Sequence, residues 1–190
     1  LHLCSHNLES IDTTSKTSTD TLLLEVCMAA KYEGNSINTP YPKHKQTNHG
    51  FHTNICTALA RSFADIGDIV RGKDLFLGND KEKDQRQQLE DNLRKIFGNI
   101  YEGLTTTNEK KEELKRRYGQ DGQNFYQLRE HWWEANRETV WKAITCKAKE
   151  ADKYFRNTCS EGKSSTPNKC RCVNRADVPT YFDYVPQYLR

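Results

Sequence analysis

Five apolar positions, Ile55, Leu59, Phe63, Ile66 and Val70, recur at steps of three and four and draw one stripe along a helix. Arg61, Asp65 and Asp68 fall off that stripe and are expected to face elsewhere. Thr53 stands where an N-cap belongs, and Gly72 where a helix ends. Gly67 lies inside the segment at a cost of about 1 kcal/mol relative to alanine, which predicts the close approach of a neighbouring helix. A second stripe, Leu89, Leu93, Ile96, Phe97 and Ile100, predicts a helix over about 81–101.

Weaker patterns fill the rest. Leu22 to Tyr32 reads as a helix capped by Thr19 or Asp20 and stopped by Gly34. Residues 108–118 form a short charged helix with Glu ahead of Lys or Arg at helical spacing. The longest helix is expected over about 124–154, with Phe125, Leu128, Trp132, Val140 and Ile144 buried. Trp133 and Trp141 lie on adjacent faces of it, so it should touch more than one neighbour. Residues 10–20, 35–52 and 156–178 read as loops, the second crossing between packing units and the third pinned by disulfides. There is no internal repeat and no convincing strand. The expected fold is all-α, a bundle of about four helices with cross-linked loops.

Composition sharpens this picture. Only 35% of the 190 residues are hydrophobic and the mean hydropathy is −0.94, so the core must be thin and lean on the bulky aromatics. Seven cysteines at wide, irregular spacing in such a chain favour disulfides and an oxidising compartment. Their odd number leaves at least one thiol without an internal partner. Both ends read as cut: Leu1-His2-Leu3-Cys4 has no signal-peptide pattern, and Tyr184–Arg190 reads as a first helical turn with Pro186 near its start. No apolar run approaches the roughly 20 residues that cross a membrane, so an anchor is expected outside this chain. A net charge of +3 does not demand a nucleic-acid partner.

Several landmarks occur in a fixed order. They are Leu1-His2-Leu3-Cys4, Val26–Gly34 (VCMAAKYEG), Ala60–Gly72 (ARSFADIGDIVRG), Arg129-Glu130-His131-Trp132-Trp133 with Trp141, and Tyr181–Arg190 (YFDYVPQYLR). In these the chain resembles a Duffy-binding-like domain of the alpha class, from the variant erythrocyte membrane protein (var) family of malaria parasites. The resemblance covers essentially the whole chain. It implies a disulfide-rich helical bundle of the Duffy-binding-like type. Residues 1–50 would end a first subdomain, and 51–190 would form the helical bundle of the second, cut at its C-terminal helix. It also implies display on the outer face of the infected red cell, rosetting or other cytoadherence, sulfated-glycan binding and antigenic variation. Two departures leave receptor choice open. His131 stands where an acidic residue is common, and four cysteines lie between Cys146 and Cys172 where some members carry two. The scheme that follows leaves Cys4 without an upstream partner. It pairs Cys27, Cys56, Cys146, Cys159, Cys170 and Cys172, with Cys56 tied to Cys159, Cys170 or Cys172.

Candidate chemistry is sparse. The late cysteines lack the close pairs of closed zinc sites, and disulfides are favoured over metal. Asp65 and Asp68 lie a turn apart with no nucleophile or His partner nearby, which reads as a solvated or salt-bridged face. His44, His49 and His52 read as a polar surface loop, and Trp132, Trp133 and Trp141 as core. The run Lys110, Lys111, Lys115, Arg116, Arg117 is diluted by Glu109, Glu112 and Glu113 into a solvated face. The stronger patch is Lys142, Lys147, Lys149, Lys153, Arg156, Lys163, Lys169, Arg171 and Arg175, opposed only by Glu150, Asp152 and Glu161. A flexible loop and helix end of this charge could bind a sulfated polysaccharide through many weak, salt-sensitive ion pairs.

Three function classes are in view. The first is a host-receptor adhesion domain, whose partner is a host cell-surface receptor or sulfated glycan. The second is a structural spacer or antigenic display module whose receptor site lies elsewhere. The third, an enzyme, is disfavoured: no P-loop, GxGxxG, HExxH or GxSxG pattern is present, and no catalytic residue, cofactor or metal is expected.

Overall fold

The structure, a computed structural model, describes residues 19–38, 54–75, 78–107, 109–174 and 176–190. Among the described residues five α-helices follow in order: α1 (Thr19–Asn38), α2 (Ile55–Arg71), α3 (Asp80–Thr107), α4 (Lys111–Tyr118) and α5 (Tyr126–Ile144). Single 3-10 turns lie at Gly122–Asn124, Phe182–Tyr184 and Gln187–Leu189. Among the described residues the only β pairing is two isolated bridges, Cys159 with Ser164 and Asn168 with Arg171.

All five residues of the α2 stripe are buried, and so are those of α3 from Leu89 to Ile100. They share one core with Leu22, Val26, Ala29 and Ala30 of α1 and with Trp132, Trp133, Val140, Trp141 and Ile144 of α5. Asn54, not Thr53, caps α2: its side chain accepts from the Cys56 N–H at 2.8 Å. Thr53 itself lies outside the described residues, as do Cys4, His44, His49 and His52. Gly72 ends α2 in the left-handed region at φ 71°, as its position predicts. Asn79 and Glu82 form a reciprocal capping box at the start of α3.

Glycine marks two close helix approaches. At Gly67 a methyl group would sit 2.7 Å from the Trp133 indole, so α5 supplies the predicted neighbour. Gly34 does not stop α1. Its missing side chain lets the Ile144 carbonyl of α5 come inside van der Waals contact of where a Cβ would stand, and the helix runs on to Asn38.

The longest helix is α3, not the segment expected over 124–154. Phe125, in the left-handed region at φ 53°, blocks an earlier start to α5. Asp121 caps the helix from outside, accepting from the amides of Gln127 and Leu128 at 2.8 and 2.9 Å. At the other end the Arg171 guanidinium takes the Lys142 carbonyl at 2.7 Å, and the chain turns away toward the disulfides.

Among the described residues two bridges form: Cys56–Cys170, spanning 114 residues, and Cys159–Cys172, spanning 13. The expectation that six cysteines pair is corrected to four among the described residues. Cys27 and Cys146 are thiols, the first half-buried along α1 and the second exposed just past α5. Burial pushes the Cys27 thiol up to about 11.

Two measurements check this packing. Gly34→Ala should lose about 1–3 kcal/mol of stability by overpacking against the Ile144 carbonyl. Gly103→Ala, in a helix with open space at that position, should gain up to about 1 kcal/mol. Equal urea midpoints for the two variants would contradict the close approach. In the folded chain a maleimide should label Cys146 within minutes and Cys27 far more slowly, because little Cys27 thiolate exists near neutral pH. Mass spectrometry showing a Cys27–Cys146 bridge would refute the assignment.

Candidate functional site

The landmark residues fold into one buried network. Arg71, at the end of α2, bonds the Gly67 carbonyl, Asp68 and Glu130, each at 3.0 Å, and also donates to the Asp183 carbonyl. The buried Asp183 carboxylate accepts from the Trp133 indole N–H at 3.0 Å and from the Arg137 guanidinium at 2.9 and 2.8 Å. Arg129, fully buried, takes the Val70 and Ile69 carbonyls at 2.6 and 3.0 Å and forks onto Glu90 at 2.7 and 2.8 Å. Arg190 reaches Asp65 at 3.0 Å and Asp68 at 2.6 Å. Pro186 leads not into an α-turn but into a 3-10 turn, whose Gln187 amide donates to Asp74 at 3.2 Å.

These contacts decide how the carboxylates behave. Asp68 does not face away from the protein: it is buried, contrary to its place off the apolar stripe. Burial pushes the carboxyls of Asp65 and Asp68 above the usual aspartate value, with the Arg190 guanidinium opposing the rise. Burial also opposes charge on Glu130, but the bonds from Lys73 and Arg71 outweigh it and hold that carboxyl below the usual glutamate value. Asp65 and Asp68 therefore form a salt-bridged face. His131 bonds Tyr118 across 2.8 Å and ties α4 to α5. Trp133 and Trp141 flank Phe63 with ring centroids 5.1 and 5.2 Å away, and each tryptophan is core.

The buried landmark side chains thus hold the frame. Of the nine basic candidates, Lys142 pairs with Glu138, Lys163 with Glu161 at 3.4 Å and Lys169 with Glu150 at 2.8 Å. Arg171 turns inward onto the Lys142 carbonyl and the Thr145 hydroxyl. Arg175 lies outside the described residues. Lys147, Lys149, Lys153 and Arg156 are exposed and form no ion pair among the described residues. Arg156 stacks over the half-exposed Phe155 ring at 5.0 Å.

This segment is pinned by disulfides, as expected for 156–178, and by hydrogen bonds as well. The Cys170 amide donates to the Asp152 carbonyl at 2.8 Å, and the Trp141 indole donates to the Cys170 carbonyl at 3.1 Å. The Tyr154 amide donates to Thr166 at 2.7 Å, and Asn54 donates to the Lys153 carbonyl at 2.6 Å. Sequence reasoning missed the frame roles of Arg129 and Arg137. A buried arginine on a helix carries no periodic signal until its carboxylate and carbonyl partners are placed. Among the described residues no group of three or more His, Cys, Asp or Glu is placed to hold a metal, and no helix is long and apolar enough to cross a membrane.

The family description "Duffy binding domain" matches residues 1–190. The chain belongs to the Duffy binding domain family. Among solved structures it is similar to the NTS-DBL1(alpha-1) domain of the Plasmodium falciparum membrane protein 1 (PfEMP1) of the varO strain. Identity is 42% and the TM-score 0.77, over 99% of this chain and 40% of that one. The varO NTS-DBL1-alpha and CIDR-gamma double domain gives 43% identity and a TM-score of 0.78 over 99% and 25%. The ICAM-1-binding DBLbeta domain of PfEMP1 IT4var13 gives 31% identity and a TM-score of 0.65 over 100% and 39%. The chain therefore spans two fifths or less of the solved relatives it matches. No curated protein matches it. The Duffy-binding-like fold, mostly helical and disulfide-linked, is that expected from the landmarks.

The raised carboxyls carry a pH signature. A folded-state pKa above the unfolded value means that Asp68 favours folding while protonated, below about pH 4. That contribution is lost as pH rises through the folded value. Asp68→Asn removes this titration. The stability of the variant relative to the parent should rise as pH climbs above about 4, read from urea unfolding at each pH. A difference that stays constant as pH climbs would show that burial does not govern this carboxyl.

Proposed function

We propose that this chain is part of a host-receptor-binding adhesion domain on the extracellular face of the infected red cell, serving rosetting or cytoadherence. It acts by contact and not by catalysis. The reading is supported by membership of the Duffy binding domain family and by similarity to a PfEMP1 DBLbeta domain described as ICAM-1-binding.

Within this chain the contact we propose is a sulfated glycan lying across Lys147, Lys149, Lys153 and Arg156. The observation that carries it is their exposure, without ion pairs among the described residues, on a segment locked to the bundle by Cys56–Cys170. A fixed array of ammonium and guanidinium groups meets a polyanion without first losing loop entropy. Each contact is worth only about 0.2–1 kcal/mol, so affinity must come from their number, and salt must weaken it.

Charge reversal tests this. Lys147→Glu, Lys149→Glu and Lys153→Glu together should weaken heparin binding about 3- to 150-fold, the sum of three exposed ion pairs, and lower the salt needed to elute the chain. Unchanged elution would move the glycan site elsewhere. A folded chain, and a complete domain containing it, that bind no red cell, receptor or glycan would favour the display-module reading.

A further inference from the structure

The four exposed cations beyond α5 are not alike. Among the described residues the Lys147, Lys149 and Lys153 ammonium groups make no hydrogen bond, ion pair or ring contact. Each is a strongly hydrated point charge on a flexible stem. Arg156 has one contact: its guanidinium carbon lies over the Phe155 ring, 5.0 Å from the centroid. Attraction to a ring face narrows the positions a guanidinium takes without using its N–H groups. Among the described residues none of the Arg156 donors is hydrogen-bonded.

The ring beneath Arg156 is itself held. Phe155 is half-exposed, and its ring meets that of the buried Tyr154 at 4.9 Å between centroids. Tyr154 is fixed at both ends. Its amide donates to the Thr166 hydroxyl at 2.7 Å, and its own hydroxyl donates to that of Thr180 at 3.2 Å. Asn54 holds the preceding Lys153 carbonyl at 2.6 Å, and the Cys159–Cys172 bridge closes the chain on the far side of Arg156. A path of fixed groups thus runs from the bundle through Tyr154 and Phe155 to the Arg156 guanidinium. A planar guanidinium takes two oxygens of one oxyanion at once, which an ammonium group does not.

We propose that Arg156 is the anchor of the glycan site, forking onto one sulfate or carboxylate group of the sugar chain, and that Phe155 positions it. This proposal rests on the glycan reading and divides its labour: the lysines supply attraction, and Arg156 supplies geometry.

The test measures binding of a heparin hexasaccharide to the oxidised chain by calorimetry at several salt concentrations. Arg156→Lys keeps the charge and loses the fork. It should weaken binding about 2- to 5-fold, the upper range for one exposed charged contact, with the parent's salt dependence. Phe155→Ala should weaken binding about 2- to 5-fold, the worth of an exposed cation–π contact. Phe155→Tyr keeps the ring and should match the parent. In an Arg156→Ala background Phe155→Ala should change nothing further, because the ring acts only through Arg156. Unfolding midpoints accompany each variant, and Arg156→Lys, at an exposed position, should keep the parent's. Carboxyl-reduced heparin identifies the group: sensitivity to Arg156→Lys that survives reduction assigns a sulfate, and sensitivity that vanishes assigns a carboxylate. Four outcomes overturn the proposal: parent affinity in Arg156→Lys, an altered salt dependence in that variant, equal losses in Phe155→Ala and Phe155→Tyr, or additive losses when Phe155→Ala joins Arg156→Ala, which would put the sugar on the ring itself. If Lys147→Glu, Lys149→Glu and Lys153→Glu together leave heparin binding unchanged, the glycan reading falls and this proposal with it. If they weaken it while Arg156→Lys does not, this proposal alone falls.

Discussion

Asp183 is a fully buried carboxylate far from the helices it joins in sequence, and its charge is met on every side. The Trp133 indole and the Arg137 fork hold its oxygens while Arg71 holds its carbonyl. A buried charge with a missing partner costs several kcal/mol, so such a group is stable only when all its partners arrive together. The requirement fixes α2, α5 and the C-terminal segment at one mutual spacing. Gly67 then becomes necessary, because the Trp133 ring that reaches Asp183 must also pass over α2.

The same logic extends outward. Arg71 ties Asp183 to Asp68 and Glu130, Arg190 ties the last residues back to Asp65 and Asp68, and Arg129 joins the end of α2 to α3 through Glu90. A chain this poor in apolar residues gains from a paired charged framework, since the framework specifies one arrangement where a thin hydrophobic core would allow several. The Cys56–Cys170 bridge closes the remaining long connection and limits the unfolded ensemble.

Function follows by exclusion and by exposure. Residues that knit the frame are engaged with one another, whereas Lys147, Lys149, Lys153 and Arg156 on the segment beyond α5 are exposed. The rigid interior and the charged exterior are therefore separable, and the exterior can change its side chains without disturbing the bundle. That separation suits a surface built to meet other molecules.

The apolar stripes of α2 and α3 were legible in the chain itself, because helical periodicity is a local property, and so were the left-handed end at Gly72 and the need for a neighbour at Gly67. Cysteine number and spacing announced cross-links. The chain could not show that Gly34 sits inside a helix and not after one, that α5 ends at Ile144, or that Cys56 meets Cys170. Each of these depends on a partner distant in sequence: the Ile144 carbonyl, Arg171, and the turn carrying Cys170. Nor could it separate Lys142, Lys163, Lys169 and Arg171, whose charges are engaged, from Lys147, Lys149, Lys153 and Arg156, whose charges face outward. Charge is written residue by residue, but whether a charge is neutralised depends on distances of a few ångströms that only the packed chain sets.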